Sequence, residues 1–207
     1  MIERWPPGFD ADLMRRSFLI RPTVEVARDL VGCLLLIRDP QGAIVGRIVE
    51  TEAYAGPDDP ASHAAKRRTG LVAAMWGESG RAYVYTSYGL HTMLNVVAKV
   101  DGAVGAVLIR ALEPLAGVEI LRERRGPVPD QRLCAGPGLT CRATGITAAD
   151  HGEEMISGSR FMLAMGDRPE RICESGRVGI RDGTEFPWRF FDGNSKAVSA
   201  HRGGIPV

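Results

Sequence analysis

The chain has 207 residues and a net charge of +1, with 44% hydrophobic and 25% charged residues. That is enough apolar material for a well-filled core, so intrinsic disorder is not the default and the molecule as a whole is no polycation. An anionic partner must therefore be met by local clusters. Lys66-Arg67-Arg68 and Arg122-Glu123-Arg124-Arg125 are two such clusters, and on charge alone both read as solvated surface.

The opening segment, MIERWPPGFD, lacks the apolar stretch of a signal peptide, and no run approaches the length needed to cross a bilayer. Cys33, Cys134, Cys141 and Cys173 make no C-x-x-C pair, so free structural thiols in a reducing cytoplasm are the expectation. His63, His91, His151 and His201 form no metal-ligand spacing, and no metal site is supported.

In chain order, Val24, Ala27, Leu30 and Val31 recur at helical spacing, with Thr23 as the expected cap and Gly32 as the stop. Cys33 to Ile37 reads as a strand, the Asp39-Pro40-Gln41-Gly42 stretch as a type I turn, and Ala43 to Tyr54 as the returning strand of a hairpin. A loop rich in Gly, Pro and Asp then runs from Ala55 to about Gly70. RAYVYTS and LHTMLNVVAKV are β-rich runs joined around Tyr88-Gly89, and AVLIRALEP is a further strand. Pro114 suits the first turn of a helix reaching Arg125 and closed by Gly126. GPVPD is a loop, Leu139 to Thr144 a second helix stopped by Gly145, and FMLAM, RVGI and WRFF short strands. The strands cluster without βαβ alternation. The expectation is therefore one α+β domain over residues 1–207, with a curved, mostly antiparallel sheet and flanking helices.

Two constellations carry chemistry. Glu50 and Glu52 share one face of a regular strand, where each raises the pKa of the other and burial adds to the effect. Such a pair either meets arginines or serves as a water-activating base or acid–base couple, and spacing alone favours the arginines. In YVYTSYGLH, Tyr83 and Tyr85 share a face while Gly89 pushes Tyr88 to a hairpin tip. An aromatic there can stack on a base or fill the gap left by a flipped nucleotide. Gly136-Pro137-Gly138 before the second helix reads as a loop turn, with a weaker reading as an anion site.

RIVETEAYAGPDDPASHA, GRAYVYTSYGLHTMLNVV, AVLIRALEPLAG, GPG and the late RVGI…PWRFF…VS, taken together and in order, resemble the alkyladenine (3-methyladenine, methylpurine) DNA glycosylases from about Leu13 to Ser199. The resemblance implies a cofactor-free α+β domain with a protruding hairpin. Its partner would be double-stranded DNA containing damaged purines, from which it flips the nucleotide and hydrolyses the N-glycosidic bond. It further implies that Glu52 activates water, with Arg110 and the main-chain carbonyl of Val178 holding that water. Tyr54, His63 and Tyr85 would wall the base pocket, Asn95 would reject guanine, and Tyr88 would be the intercalating wedge. Glu50 receives no chemical role and reads as structural, paired to an arginine. No lysine nucleophile stands in these motifs, so a monofunctional, monomeric enzyme acting in the cytoplasm at the nucleoid is expected. A non-catalytic lesion binder and a hydrolase of free nucleosides are the alternatives. Two departures stand out. Gly70-Leu71-Val72 replace the usual Pro, Arg and Asn of a DNA-facing loop, and Leu139-Thr140 replace a basic residue and leucine after GPG. Both would cost phosphate contacts, and Lys66-Arg67-Arg68 could compensate.

Overall fold

The computed structural model describes residues 12–199 and 203–207. The reading of the opening MIERWPPGFD segment lies outside them. The elements run in chain order from helix α1 (Thr23–Asp29) through strands β1 (Leu34–Asp39) and β2 (Gly42–Tyr54) to the one-turn helix α2 (His63–Lys66). Strands β3 (Ala82–Ser87), β4 (His91–Val97) and β5 (Ala106–Ala116) follow, then helices α3 (Val118–Arg125), α4 (Asp130–Leu133) and α5 (Pro137–Thr144). Strands β6 (Phe161–Ala164), β7 (Ile172–Ser175), β8 (Arg189–Asp192) and β9 (Ile205–Pro206) close the chain.

All nine strands join one antiparallel sheet, ordered β3-β4-β5-β2-β8-β7-β9, with β1 and β6 branching from β2. The architecture is α+β, as the clustering of strands implies. Strand β2 is its axis. One edge runs along β5, while the other meets β1 over its first half and β8 at Glu50–Glu52. Its second half is thus covered on both edges, which explains an unbroken buried run from Ile48 to Ala53. The hairpin to β1 closes over Pro40-Gln41 with Asp39 opposite Gly42, as the turn residues indicate. Helices α1 and α5 cover the sheet, and Leu30, Leu35, Ile48, Ile109 and Leu133 are among the residues of the main core.

Four expectations need correction. Thr23 is not the cap. It lies inside α1, and its hydroxyl donates to the carbonyl of Ala98 at 2.8 Å, tying the helix to the segment after β4. Pro114 stays in β5 opposite Gly46, beyond the stretch where β4 pairs with β5. A proline fits a strand where no neighbour needs its N–H. Helix α3 begins only after Gly117, whose φ of 71° and close approach to the Ala43 carbonyl (2.6 Å from a would-be Cβ) demand glycine. Helix α5 starts at Pro137, so GPG forms the helix entry itself, with proline in the first turn. RVGI is not a strand. It lies in the loop after β7, where polar side-chain partners take the place of a ladder.

The Thr23 tie leaves no room beside it, because a Cβ on Gly105 would overlap the Thr23 hydroxyl. Gly105→Ala is expected to lower unfolding free energy by about 1–3 kcal/mol, as overpacking does. In a Thr23→Ala background the loss should shrink, and a urea-unfolding double-mutant cycle measures that coupling.

Candidate active site

The site grows from an irregularity in the β2–β5 pairing. Thr51 faces Ile109 and Glu50 faces Ala111, so the register skips Arg110. An extra residue of this kind re-aims a side chain, and here the guanidinium addresses both glutamates. Arg110 Nε donates to Glu50 Oε1 at 2.8 Å, and Nη1 stands 3.2 Å from Glu52 Oε2. Both carboxylates are fully buried.

Their environments differ. Glu50 also accepts from Arg189 Nε (2.7 Å), the Ser199 amide (2.8 Å) and the Ser199 hydroxyl (2.8 Å). Burial pushes its pKa up, but Arg110, Arg189 and the Ser199 amide outweigh that and hold it below the ordinary carboxylate value. Glu52 has one arginine, plus the Val178 amide on Oε1 (2.7 Å) and the Tyr54 hydroxyl on Oε2 (2.9 Å). There burial wins. Arg110, the Val178 amide and Tyr54 pull downward, Glu50 adds repulsion, and the net shift is upward. Environments that drive two carboxylates apart mark a division of labour.

Three neighbours of Glu52, namely Tyr54, Arg110 and Val178, line a pocket of about 700 Å³. Glu52 itself lies directly behind that wall. His63, Tyr85, Tyr88 and Asn95 line the same pocket, so the structure gathers every singled-out residue into or just behind one cavity. His63 opens α2, where the Ser62 hydroxyl caps the first turn. Its Nδ1 lies 2.7 Å from the Tyr83 hydroxyl, and its ring meets Tyr85 edge-on at 4.6 Å. Burial, then Lys66 and Arg67, lower its pKa, which keeps the imidazole neutral at neutral pH. Asn95 Nδ2 donates to the carbonyl of Tyr83, its partner across β3–β4. The Val178 group in contact with Glu52 is its amide, whereas the sequence resemblance assigns a role to its carbonyl.

Tyr88 stands at the tip of the β3–β4 hairpin, 86% exposed, with Ser87 paired to His91 below it. Its φ of 50° makes it the one non-glycine at positive φ among the described residues. Leu90 beside it is 79% exposed.

The residues of the two departures sit differently in three dimensions. Thr140 is fully buried, and its hydroxyl donates to the carbonyls of Cys134 (2.9 Å) and Arg110 (3.3 Å). It braces the strand that carries Arg110, while Leu139, which holds the place of the expected basic residue, is half-buried. Val72 packs inward with Met75 and Tyr83, while Leu71 is half exposed.

Sequence reasoning missed Asp59 and Arg177. Their side chains are fully buried and paired twice, at 2.6 and 2.7 Å. Arg177 also donates to the carbonyls of Ala53 and Gly183 and lies over the Tyr54 and Trp188 rings. This clamp ties the loop bearing Val178 to the end of β2. Asp59 accepts from the amides of Ala55 and Ala61, a local pattern that its position between Asp58 and Pro60 could have suggested. No local signal marks Arg177 as its partner.

The sequence profile of the methylpurine-DNA glycosylase family matches residues 17–196. The chain belongs to that family. Relatives extend the match nearly end to end. A protein of Methanocella arvoryzae is 41% identical over 93% of this chain and 98% of its own length. One from Shouchella clausii is 42% identical over 90% of this chain and 95% of its own. One from Granulibacter bethesdensis is 44% identical over 90% of this chain and 87% of its own. All three are named as candidate 3-methyladenine DNA glycosylases. In this methylpurine-DNA glycosylase fold, no described group of three or more His, Cys, Asp or Glu is placed to hold a metal ion. No described helix is long and apolar enough to cross a membrane.

The Asp59–Arg177 clamp generates a stability test. Asp59→Ala strands a buried guanidinium and is expected to cost about 3–5 kcal/mol by urea unfolding, whereas the exposed Asp58→Ala should stay within about 0.5 kcal/mol.

Proposed function

We propose that this chain is a base-excision DNA glycosylase that removes alkylated purines such as 3-methyladenine and 7-methylguanine, and hypoxanthine, from duplex DNA. One observation carries the reading: a fully buried carboxylate, Glu52, lies behind a pocket of about 700 Å³, roomy enough for a purine nucleotide, whose wall includes its own hydrogen-bond partners.

In this reading Tyr88 enters the duplex and takes the place of the extruded nucleotide, offsetting part of the lost stacking. The base enters between Tyr54, His63 and Tyr85, and aromatic faces favour a cationic purine. Asn95 crowds the exocyclic amine of guanine. Alkylation at N3 or N7 already makes the purine a good leaving group, so the main need is a carboxylate to support the oxocarbenium-like sugar and direct water. Glu52 supplies that base, and Arg110 with the Val178 carbonyl holds the water. The water must reach Oε2 on the side where the Tyr54 hydroxyl now stands. Since no lysine nucleophile belongs to these motifs, release stops at an abasic site without strand cleavage. The protein acts as a monomer in the cytoplasm, on nucleoid DNA.

Labelled duplex carrying hypoxanthine or 3-methyladenine, incubated and then heated in alkali, tests this reading. Scission is expected with the parent chain, and Glu52→Gln should slow it by about 10²–10⁴-fold, the usual range for a general base. Lesion-selective retention without scission would instead identify a binder. The ionised form of Glu52 is the active one, and its pKa is raised. The single-turnover rate on a cationic purine should therefore be low in acid and climb to a plateau, with a midpoint above the ordinary carboxylate value of 4.5. Tyr88→Ala should weaken lesion-duplex binding by about 1–3 kcal/mol, the worth of one stacked base, in a fluorescence-anisotropy titration. Unchanged activity in that variant would point to free nucleosides as substrate.

A further inference from the structure

We propose that Glu50 is a positioning residue for base release: it holds Arg110 by its Nε edge, so that only Nη1 reaches Glu52, and thereby keeps Glu52 free to act as the base. The proposal rests on the glycosylase reading and gives a role to the one carboxylate that reading leaves idle.

Glu50 is one step further from the pocket than Glu52. Tyr54, Arg110 and Val178 all contact Glu52 and line the pocket, whereas of the Glu50 partners Arg110, Arg189 and Ser199 only Arg110 does. Any influence must pass through another side chain, and Arg110 is the one it shares with Glu52. A guanidinium prefers to engage one carboxylate with two parallel N–H groups. Here that fork is split, with Nε on Glu50 and Nη1 on Glu52, so neither carboxylate receives the paired arrangement. The split persists because Glu50 is itself pinned from two other directions. Arg189 reaches it from β8, and the Ser199 amide and hydroxyl reach it from the C-terminal segment. Arg189 is steadied in turn by the Ser175 hydroxyl and the Phe191 ring.

Charge points the same way. Two carboxylates and two guanidiniums balance in this interior. The groups facing Glu52 are Arg110 from β5, Tyr54 and Glu50 from β2, Tyr85 from β3 and the Val178 amide from the loop after β7. Those facing Glu50 are Arg110, Arg189 from β8, Ser199 and Glu52. With Glu50 neutral, repulsion on Glu52 disappears and Arg110 is released to pair with Glu52 through both edges. Each change makes Glu52 a weaker base, which sits further from the pKa suited to work near neutral pH.

The test is the pH profile of single-turnover base release from duplex carrying hypoxanthine or 3-methyladenine. Glu50→Gln is expected to lower the plateau rate about tenfold or more and to move the acidic limb to lower pH, while lesion-duplex affinity stays within about twofold. Glu50→Asp keeps the charge but draws the carboxylate away from Arg110. It should shift the limb in the same direction by a smaller step, and it keeps the test decisive if the glutamine variant does not fold. A rate that falls only with the folded fraction, at an unmoved midpoint, overturns the proposal in either variant. Failure of the glycosylase reading looks different, because the parent chain then yields no alkali-labile sites at all. Failure of this inference alone leaves the parent active, Glu52→Gln inactive and the Glu50 variants unshifted.

Discussion

A single guanidinium shared by two buried carboxylates sets the terms for this protein. Arg110 contacts Glu50 at 2.8 Å and Glu52 at 3.2 Å, away from solvent. Isolated charges at that depth would be prohibitively costly, so the sheet must deliver compensating groups from several strands at once. It does so through β2, where β5 brings Arg110, β8 brings Arg189 and the segment after β8 brings Ser199. The result is asymmetric. Glu50 receives two arginines and stays ionised easily, whereas Glu52 receives one and stays basic. Linkage gives the two opposite signs. Glu50, with its lowered pKa, contributes stability above its unfolded pKa and loses it as pH falls through the folded value. Glu52, with its raised pKa, favours folding below its unfolded pKa and forfeits that as pH rises through the folded value. The fold thus carries a cost at neutral pH at Glu52, the residue proposed here as the base.

The pocket and the hairpin extend from the same axis. Tyr54 ends β2, and its hydroxyl rests on Glu52 while its ring lies against Arg177. Arg177 and Asp59 lock the loop that brings the Val178 amide to Glu52. On the far side, β3 and β4 place Tyr85 and Asn95 in the pocket and hold Tyr88 at its exposed rim. One continuous sheet therefore links the exposed aromatic tip to the buried carboxylate, which suits a protein whose family name joins purine to DNA.

Much of this was legible in the sequence, and the boundary has physical reasons. Turn chemistry marked the hairpin before β2, and Tyr88-Gly89 marked the tip between β3 and β4, because both signals are local. Periodicity placed Glu50 and Glu52 on one face and favoured arginine partners for them, which they have, but it gave no sign that one arginine is shared by both. Periodicity could not give the skipped register at Arg110, since a bulge depends on both strands and leaves no trace in one of them. Thr23, Pro114 and RVGI misled for a related reason. Each is read by its usual local role, and each is claimed here by a distant partner: the Ala98 carbonyl, the β2 strand and the Asp59 carboxylate beside Arg177. The tie of Thr140 to the Arg110 backbone spans 30 positions and likewise leaves no local signal.

The sharpest test of the shared-arginine arrangement is a direct titration of the two carboxyl groups, followed by ¹³C NMR of side-chain-labelled glutamate and assigned with Glu50→Gln and Glu52→Gln. The arrangement requires Glu52 to protonate above the ordinary carboxylate value and Glu50 below it, in the same folded protein. If Glu52 instead protonates at or below that value, or the order of the two is reversed, Arg110 is not divided as described and Glu52 is not the poised base.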